Sequence, residues 1–286
     1  MDIDLARTFL EIIRSGSFIA TAERLHITQT AVTARVRSLE TQLGCRLFVR
    51  NRAGARLTSD GERFVTYATQ LVQTWEAARR DLPLPRGYDK LLSLGAEISL
   101  SNPLMLAWVK RLRQGLPDHA LRSEVGSDIE LQNKLDLGVL DAALVHQPEY
   151  RAGLQVEQLM EEKLIQVVHS HIPEPYLYID WGPAFRSQHD RALPEHIRAA
   201  LSFSLGPLAL QYLVQHGGRG YFRTRVVQRH LDEGLLKRVE QAPEFSYPVY
   251  LVYSRSAESP ALARAVALLR EVAEEEYDWS RWNYEI

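Results

Sequence analysis

The chain has 286 residues, 45% of them hydrophobic, and its 34 Lys and Arg against 36 Asp and Glu leave a formal net charge of -2. That length and apolar share suit about two packed domains and argue against disorder. No run approaches the ~18 uncharged apolar residues of a membrane span, and Met1-Asp2-Ile3-Asp4 is acidic where a secretory leader is basic, so a cytoplasmic protein without a membrane partner is expected.

A single cysteine, Cys45, excludes an internal disulfide and a multi-cysteine zinc site, and its apolar flanks predict a packed or partly buried thiol. The charge is unevenly spread. Residues 1–90 hold 14 Lys and Arg and 10 Asp and Glu, a net of +4, which leaves 20 and 26, a net of -6, for residues 91–286. Between positions 24 and 56, Arg24, Arg35, Arg37, Arg46, Arg50, Arg52 and Arg56 face only Glu40. A local cationic surface of this kind suits a polyanion, which the acidic remainder would repel.

In chain order, Leu5, Phe9 and Ile12 at i, i+4, i+7 predict a helix from Asp4 that ends near Gly16. Ser17 can cap a second helix carrying Ala20, Ala22 and Leu25, and Thr28 a third. In the third, Val32, Val36, Leu39 and Leu43 make a core face, while Thr30, Thr33, Ala34, Arg37 and Thr41 fall on the opposite side. Short or basic side chains there let a helix lie deep in a DNA major groove. Gln29 can bond adenine in bidentate fashion, and Arg37 can reach guanine or phosphate. An ordinary solvated face gives the same pattern, but the short preceding helix, the three-residue turn and the basic hairpin that follows favour DNA. Segments 46–50 and 56–58 flank a turn rich in Asn, Gly and Ala and predict a short wing, whose Arg50 and Arg52 can enter a minor groove or hold phosphates.

From Ser59, with Glu62 at capping-box spacing, Phe64, Ala68, Leu71, Trp75, Ala78 and Leu82 recur at 4, 3, 4, 3, 4. That heptad seam is long enough to pair with the same helix of a second chain, and it can alternatively pack on the chain's own regulatory region. It ends at Pro83, and Pro83-Leu84-Pro85-Arg86-Gly87-Tyr88 reads as a hinge.

The segments Thr21-Ala22-Glu23-Arg24-Leu25-His26-Ile27-Thr28-Gln29-Thr30-Ala31-Val32-Thr33, Arg37-Ser38-Leu39-Glu40, Leu43-Gly44, Leu47-Phe48-Val49-Arg50 and Leu57-Thr58-Ser59-Asp60-Gly61 resemble the amino-terminal domain of LysR-type transcriptional regulators over about residues 2–65. The resemblance implies a winged helix-turn-helix, a dimerising linker helix and a carboxy-terminal effector domain similar to periplasmic binding proteins. The DNA contacts expected are Gln29, Thr30, Thr33, Arg35, Arg37, Arg50 and Arg52. Thr33 departs from the family's usual Ser but keeps a hydroxyl; Ala34, often longer and polar in the family, puts the operator preference in doubt.

Beyond the hinge, Leu91–Ala96 is a short apolar strand, and Asn102-Pro103 predicts the cap and first residue of a helix through Leu112. Amides at that helix start, with Ser99 and Ser101, form a site for a carboxylate or other anion; a capped helix without a ligand is the bland alternative. Residues 121–125, 129–137 and 142–145 continue as strand, helix, strand, so ligands are expected at strand carboxyl ends, where His146 and Gln147 follow directly. Leu137-Gly138-Val139-Leu140-Asp141 is similar to the family's entry to this strand, and the resemblance places effector contacts after the first strand and around Phe203 and Ser204.

A second layer is predicted from strands at 164–169, 177–181, 201–204, 220–222 and 247–253, with helices at 208–216 and 260–276. His169-Ser170-His171 lacks a supporting Cys or carboxylate cluster for a metal, and Gly217-Gly218-Arg219-Gly220 lacks a phosphate-binding helix. Asp180-Trp181-Gly182-Pro183 resembles the HdfR-like subset of the family and reads first as a structural corner. Glu274-Glu275-Glu276 reads as a solvated face. Tyr277, Trp279, Trp282 and Tyr284 can cover their own domain or a neighbouring subunit.

The expectation is a DNA-binding domain at 1–58, a linker helix and hinge at 59–89, and an α/β effector domain at 90–286, with one subdomain at about 90–162 and 263–286 and the other at about 163–262. Such a regulator has no catalytic residue, metal or cofactor. Its partners are double-stranded DNA, a small-molecule effector, RNA polymerase and further copies of itself as dimer or tetramer. A ligand-independent architectural DNA-binding protein and a DNA-tethered enzyme are the alternatives; no nucleophile elbow, paired catalytic motif or metal cluster supports the enzyme.

Overall fold

A computed structural model describes residues 2–51, 54–82, 84–151, 153–254 and 259–275. Helix α1 (Ile3–Ser15) starts where Asp2 accepts from the Asp4 amide and stops where Gly16 takes a left-handed φ of 72°. Helix α2 (Phe18–Arg24) is capped by Ser17. The turn after it places His26 at φ 53°, with the Ile27 amide returning to Ala22 O at 3.0 Å, and Thr28 then caps α3 (Gln29–Leu43) through the Ala31 amide. Leu5, Phe9, Ile12, Val32, Val36 and Leu39 are buried together as expected. Leu43 is instead 41% exposed, because the helix ends there and Gly44 turns the chain away.

Strands β1 (Phe48–Asn51) and β2 (Gly54–Leu57) pair antiparallel with Phe48 opposite Leu57, forming the wing. Glu40 fixes its root, since one carboxylate oxygen accepts from the Leu47 and Phe48 amides at 2.8 and 3.3 Å. Helix α4 (Ser59–Asp81) begins one residue earlier than its Ser59–Glu62 spacing predicts: Thr58 is the cap, bonding the Gly61 amide and donating its hydroxyl to Arg46 O. The heptad seam also divides. Phe64 and Ala68 join Val72 in the helix-turn-helix core, a 4, 4 spacing that follows the inner face of a single straight helix, while Leu71, Trp75 and Leu82 stay exposed. Pro83, the first hinge residue, lies outside the described residues.

By its contacts the chain divides into residues 1–91 with 133–139, and residues 92–132 with 140–286. The second unit opens with β3 (Lys90–Ala96), a short turn α5 (Ile98–Leu100) and a wide turn over Ser101–Met105 that leads into α6 (Leu106–Gly115). Asn102 has extended angles (φ -134°, ψ 130°), as a residue before proline prefers, so helical backbone resumes at Pro103 as expected, though one turn already precedes it. Then come β4 (His119–Val125), α7 (Asp128–Asp136), β5 (Ala142–Val145) and β6 (Leu154–Met160). The chain continues through β7 (Lys163–His169), β8 (Tyr176–Ile179), α8 (Pro183–Ala192), β9 (Leu201–Phe203), α9 (Gly206–His216) and β10 (Arg219–Arg223). It closes with α10 (Thr224–Asp232), β11 (Leu236–Arg238), β12 (Phe245–Ser246), β13 (Val249–Ser254) and α11 (Pro260–Glu274).

Two sheets result, in the orders β4-β3-β5-β13-β6 and β11-β7-β10-β8-β9, with β12 also on β7. This corrects the expected subdomain boundary at 262. Strand β13 pairs antiparallel with β5 and β6, so it belongs to the first sheet, and the return crossing lies at Tyr247-Pro248. The outward crossing lies at Glu161-Glu162, and the Tyr247 amide donates to Glu162 O at 2.7 Å, so the two crossings run side by side. Strands of the first subdomain bury an apolar core under α6 and α11, with Trp108 donating to Ala265 O at 2.8 Å.

Gly61 holds the wing against α4: a Cβ built there meets Leu47 O at 2.3 Å and a Leu57 methyl at 2.9 Å. Gly61→Ala is therefore expected to destabilise the amino-terminal unit by roughly 2 to 3 kcal/mol, seen as a lowered urea midpoint by circular dichroism. An unchanged midpoint rules out this contact as a packing constraint.

Candidate nucleic-acid interface and effector cleft

On α3 the residues turned away from the core are Gln29, Thr30, Ala34, Arg37 and Thr41, all exposed, with Thr33 half-buried at their edge. None carries a bulky apolar side chain, so the surface can approach base edges closely. Exposed Arg46 and Arg56 add charge beside it, and a groove of about 900 Å³ runs from Arg37 and Thr41 past Cys45 and Arg46 to Val49. Arg50 is on β1, with its backbone paired to Ala55; Arg52 lies outside the described residues. Arg35 does not join this face. Its guanidinium bonds Thr8 Oγ1 at 3.2 Å and Asp4 Oδ2 at 3.4 Å on α1, because position 35 lies about 140° around the helix from Thr30. The expected base or phosphate contact there is better described as an anchor that sets how α3 sits on α1.

Helix α4 leaves an apolar stripe uncovered. Tyr67, Leu71 and Trp75, 62%, 41% and 46% exposed, line a groove of about 970 Å³ with Ile3, Gln70 and Thr74.

In the second unit, charge gathers where the two crossings meet. Arg223, the last residue of β10, is 1% exposed; its Nε donates to Glu162 Oε2 at 2.8 Å and its Nη1 to Ser99 O at 2.7 Å. One guanidinium thus joins the second sheet, a crossing and the turn after β3. Glu97 accepts from the His146 amide at 2.6 Å. Burial pushes its pKa up to about 7, helped by Asp128 and opposed by the His146 bond and by Arg223. His146 stacks on Tyr247 at 3.9 Å with Nδ1 3.0 Å from Pro248 O, and burial together with Arg223 holds its pKa well below the usual imidazole value.

Of the expected effector residues, Ser99, His146 and Gln147 come together here. Gln147 Nε2 donates to Trp181 O at 3.5 Å and lies against Gly182, so it bridges the two subdomains. The hydroxyl of Ser101 donates to Ile98 O within its own turn, Phe203 packs on Tyr212 in the second subdomain, and Ser204 is exposed. Glu97, Glu162, Arg223 and Tyr247 are not among the site residues expected from sequence, and Trp181 is expected there only as part of a structural corner. A usable signal existed for three of them, since Glu97 and Arg223 stand at the carboxyl ends of apolar strands and Glu162 lies between two. The His169–His171 pair is a turn, its Nδ1 accepting from the His171 and Ile172 amides, and no group of three metal-ligating residues occurs among the described residues. The aromatic residues from Tyr277 onward lie outside the described residues.

Residues 3–62 match the family profile described as bacterial regulatory helix-turn-helix protein, lysR family, and residues 85–274 match the LysR substrate binding domain. The chain is 29% identical over 282 residues to the HTH-type transcriptional regulator HdfR of Yersinia enterocolitica, covering 92% of this chain and 94% of that protein. Its fold is similar to that of Vibrio fischeri DarR in complex with DNA (TM-score 0.55, 19% identity, 95% of this chain and 99% of that one). It is also similar to CrgA, a LysR-type transcriptional regulator from Neisseria meningitidis (TM-score 0.54, 19% identity, 96% and 100%).

The raised Glu97 pKa has a signed consequence. Folding favours the protonated acid, so this contribution is full below about 4.5 and is lost as pH rises to about 7, a swing of about 3 kcal/mol. Glu97→Gln, which still accepts from the His146 amide, should flatten stability between pH 5 and 8 and raise the unfolding midpoint at pH 8. Parallel wild-type and variant profiles would show that the carboxyl is not held neutral.

Proposed function

The chain belongs to the LysR family of bacterial transcriptional regulators, and from that premise we propose how its residues share the task. It is a LysR-type regulator with a DNA-binding helix-turn-helix and an effector-binding domain. Gln29, Thr30, Thr33 and Arg37 read base edges in a major groove. Arg50 and Arg52 of the wing hold phosphates or enter a minor groove, and Arg35 positions the reading helix. The observation that carries this assignment is the exposed, short-chained face of α3 with Arg37 at its centre.

Paired reading of a near-palindromic site needs two copies, and the Tyr67, Leu71 and Trp75 stripe supplies a surface for a homodimer, two of which can make a tetramer. A small effector binds between the two α/β subdomains, where Glu97, Ser99, His146 and Gln147 meet Trp181 and Arg223. Binding shifts the balance between arrangements of the oligomer on DNA, and so the access of RNA polymerase to a promoter, to the extent that one arrangement binds the effector better. The working division is 1–58 for DNA, 59–89 for pairing and 90–286 for sensing, with the second subdomain ending near Ser246. No catalytic role is assigned to any residue. No described helix is long and apolar enough to cross a membrane, and the site of action proposed is the cytoplasm.

Arg37→Ala and Gln29→Ala should each weaken binding to an operator selected from random duplexes by about 1 to 3 kcal/mol at fixed salt while leaving the fold intact. Affinity equal to wild type in both variants would remove the proposed readout. Arg50→Ala or Arg52→Ala should lower affinity across sequences and reduce the slope of log affinity against log salt by about 1. On α4, Trp75→Glu should shift the sedimenting species from dimer to monomer, and a dimer that persists would assign pairing to another surface.

A further inference from the structure

Two acceptor atoms at the junction of the crossings, His146 Nε2 and Glu162 Oε1, are buried without a hydrogen-bond partner, on side chains only 4% and 3% exposed. Neutral His146 has Pro248 O facing Nδ1, so Nδ1 carries the proton and Nε2 keeps a bare lone pair. The second oxygen of Glu162 is already engaged by Arg223, whose Nη2 lies 2.7 Å from it. Arg223 is answered in turn by Glu162 and Ser99 O, which leaves Glu97 and Asp128 as further carboxylates near the same point. Trp181 and Tyr247 meet edge to face at 5.5 Å beside them.

An anion would add charge to three carboxylates and bring no donor to either bare acceptor. A cation does the reverse. We propose that the effector of this chain is a small organic cation, an ammonium, amidinium or guanidinium on an apolar or aromatic body. Its N–H groups bond His146 Nε2 and Glu162 Oε1 while its body lies against Trp181 and Tyr247. The proposal rests on the effector reading above and reverses the carboxylate expected from Ser99, Ser101 and Asn102, since the Ser101 hydroxyl is already given to Ile98 O. Entry follows when Gln147 leaves Gly182. Gly182 has φ 99°, and a Cβ there would stand 2.5 Å from Gln147 Nε2, so only glycine lets the two sides close this tightly.

The test uses the full-length protein with benzylamine and butylguanidine as cationic probes and benzoate and benzyl alcohol as matched controls, read by thermal shift and isothermal titration at pH 8. The cations should bind and raise Tm. His146→Phe, which keeps a ring on Tyr247, should weaken them by at least about tenfold, and so should Glu97→Gln, whose carboxyl is faced by His146, Asp128, Arg223 and Tyr247. Either variant suffices if the other does not fold. Cation affinity unchanged in both overturns the placement. Binding of benzoate or benzyl alcohol without the cations overturns the ligand class and keeps the effector reading. Silence from all four overturns the cation, and the effector reading falls with it only if a broad small-molecule library also leaves Tm unmoved.

Discussion

A guanidinium with almost no access to water has to be answered by charge and carbonyl oxygen on each side, and Arg223 meets that demand with partners from two segments far from it and from each other in sequence. Desolvation of a buried ion pair commonly cancels much of its attraction, so the pair is better understood as a specifier of geometry than as a source of stability. Removing either partner leaves an uncompensated buried charge, which costs far more than the intact pair contributes. The two sheets are therefore tied at one point by an interaction that tolerates little displacement. Around that point the Tyr247 amide bonds Glu162 O and Pro248 O receives His146, so both crossings are locked by the same small set of atoms.

The amino-terminal unit solves a related problem with exposed charge. A helix that reads DNA must keep one face bare, so whatever orients it has to act from behind. Arg35, pointing back to Asp4 and Thr8, and Glu40, holding the Leu47 and Phe48 amides, do this from the inner and trailing sides of α3. Arg7 extends the same set by pairing with both Asp4 and Glu76, which ties α1 to α4. The positive charge counted along residues 24–56 thus has two uses. Arg37, Arg46 and Arg56 are left to solvent, while Arg35, and Arg24 through Glu11 at 3.0 Å, are spent inside the unit.

That division marks the limit of what the sequence discloses. Caps and periodicity located α1, α2 and α3 because Ser17, Thr28 and the positions four and three apart act within one helix. The Asn-, Gly- and Ala-rich turn between residues 50 and 56 disclosed the wing and strand–helix alternation the α/β layers, while family resemblance added the sensing role. The α4 seam was misjudged in part because Phe64 and Ala68 satisfy both a heptad and an i, i+4 stripe, and only the tertiary partner, the core around Phe9 with its ring 5.1 Å from Phe64, decides between them. Strand Leu154–Met160 went unread since its alternation is weak, with Glu157 and Gln158 interrupting it. The proposed sensing site depends on long-range partners throughout. Glu162 and Arg223 are 61 residues apart, and nothing local to either announces a pair.

The same geometry restricts how a ligand can work as a signal. The arrangement of the two sheets already contains an internal cation, and parting them at the crossings would expose Arg223 and Glu162 to water, so this arrangement has support of its own. A ligand shifts such an equilibrium only by the difference between its affinities for the two arrangements; moving a population from 1:99 to 99:1 takes a difference of about 10⁴-fold. Groups satisfied in both arrangements contribute nothing to that difference. The atoms that can contribute are those that water reaches when the sheets part and that no protein donor serves when they close; among the described residues at the crossings, the acceptors His146 Nε2 and Glu162 Oε1 are of this kind. In the proposed binding mode, discrimination between arrangements therefore falls on these two acceptors.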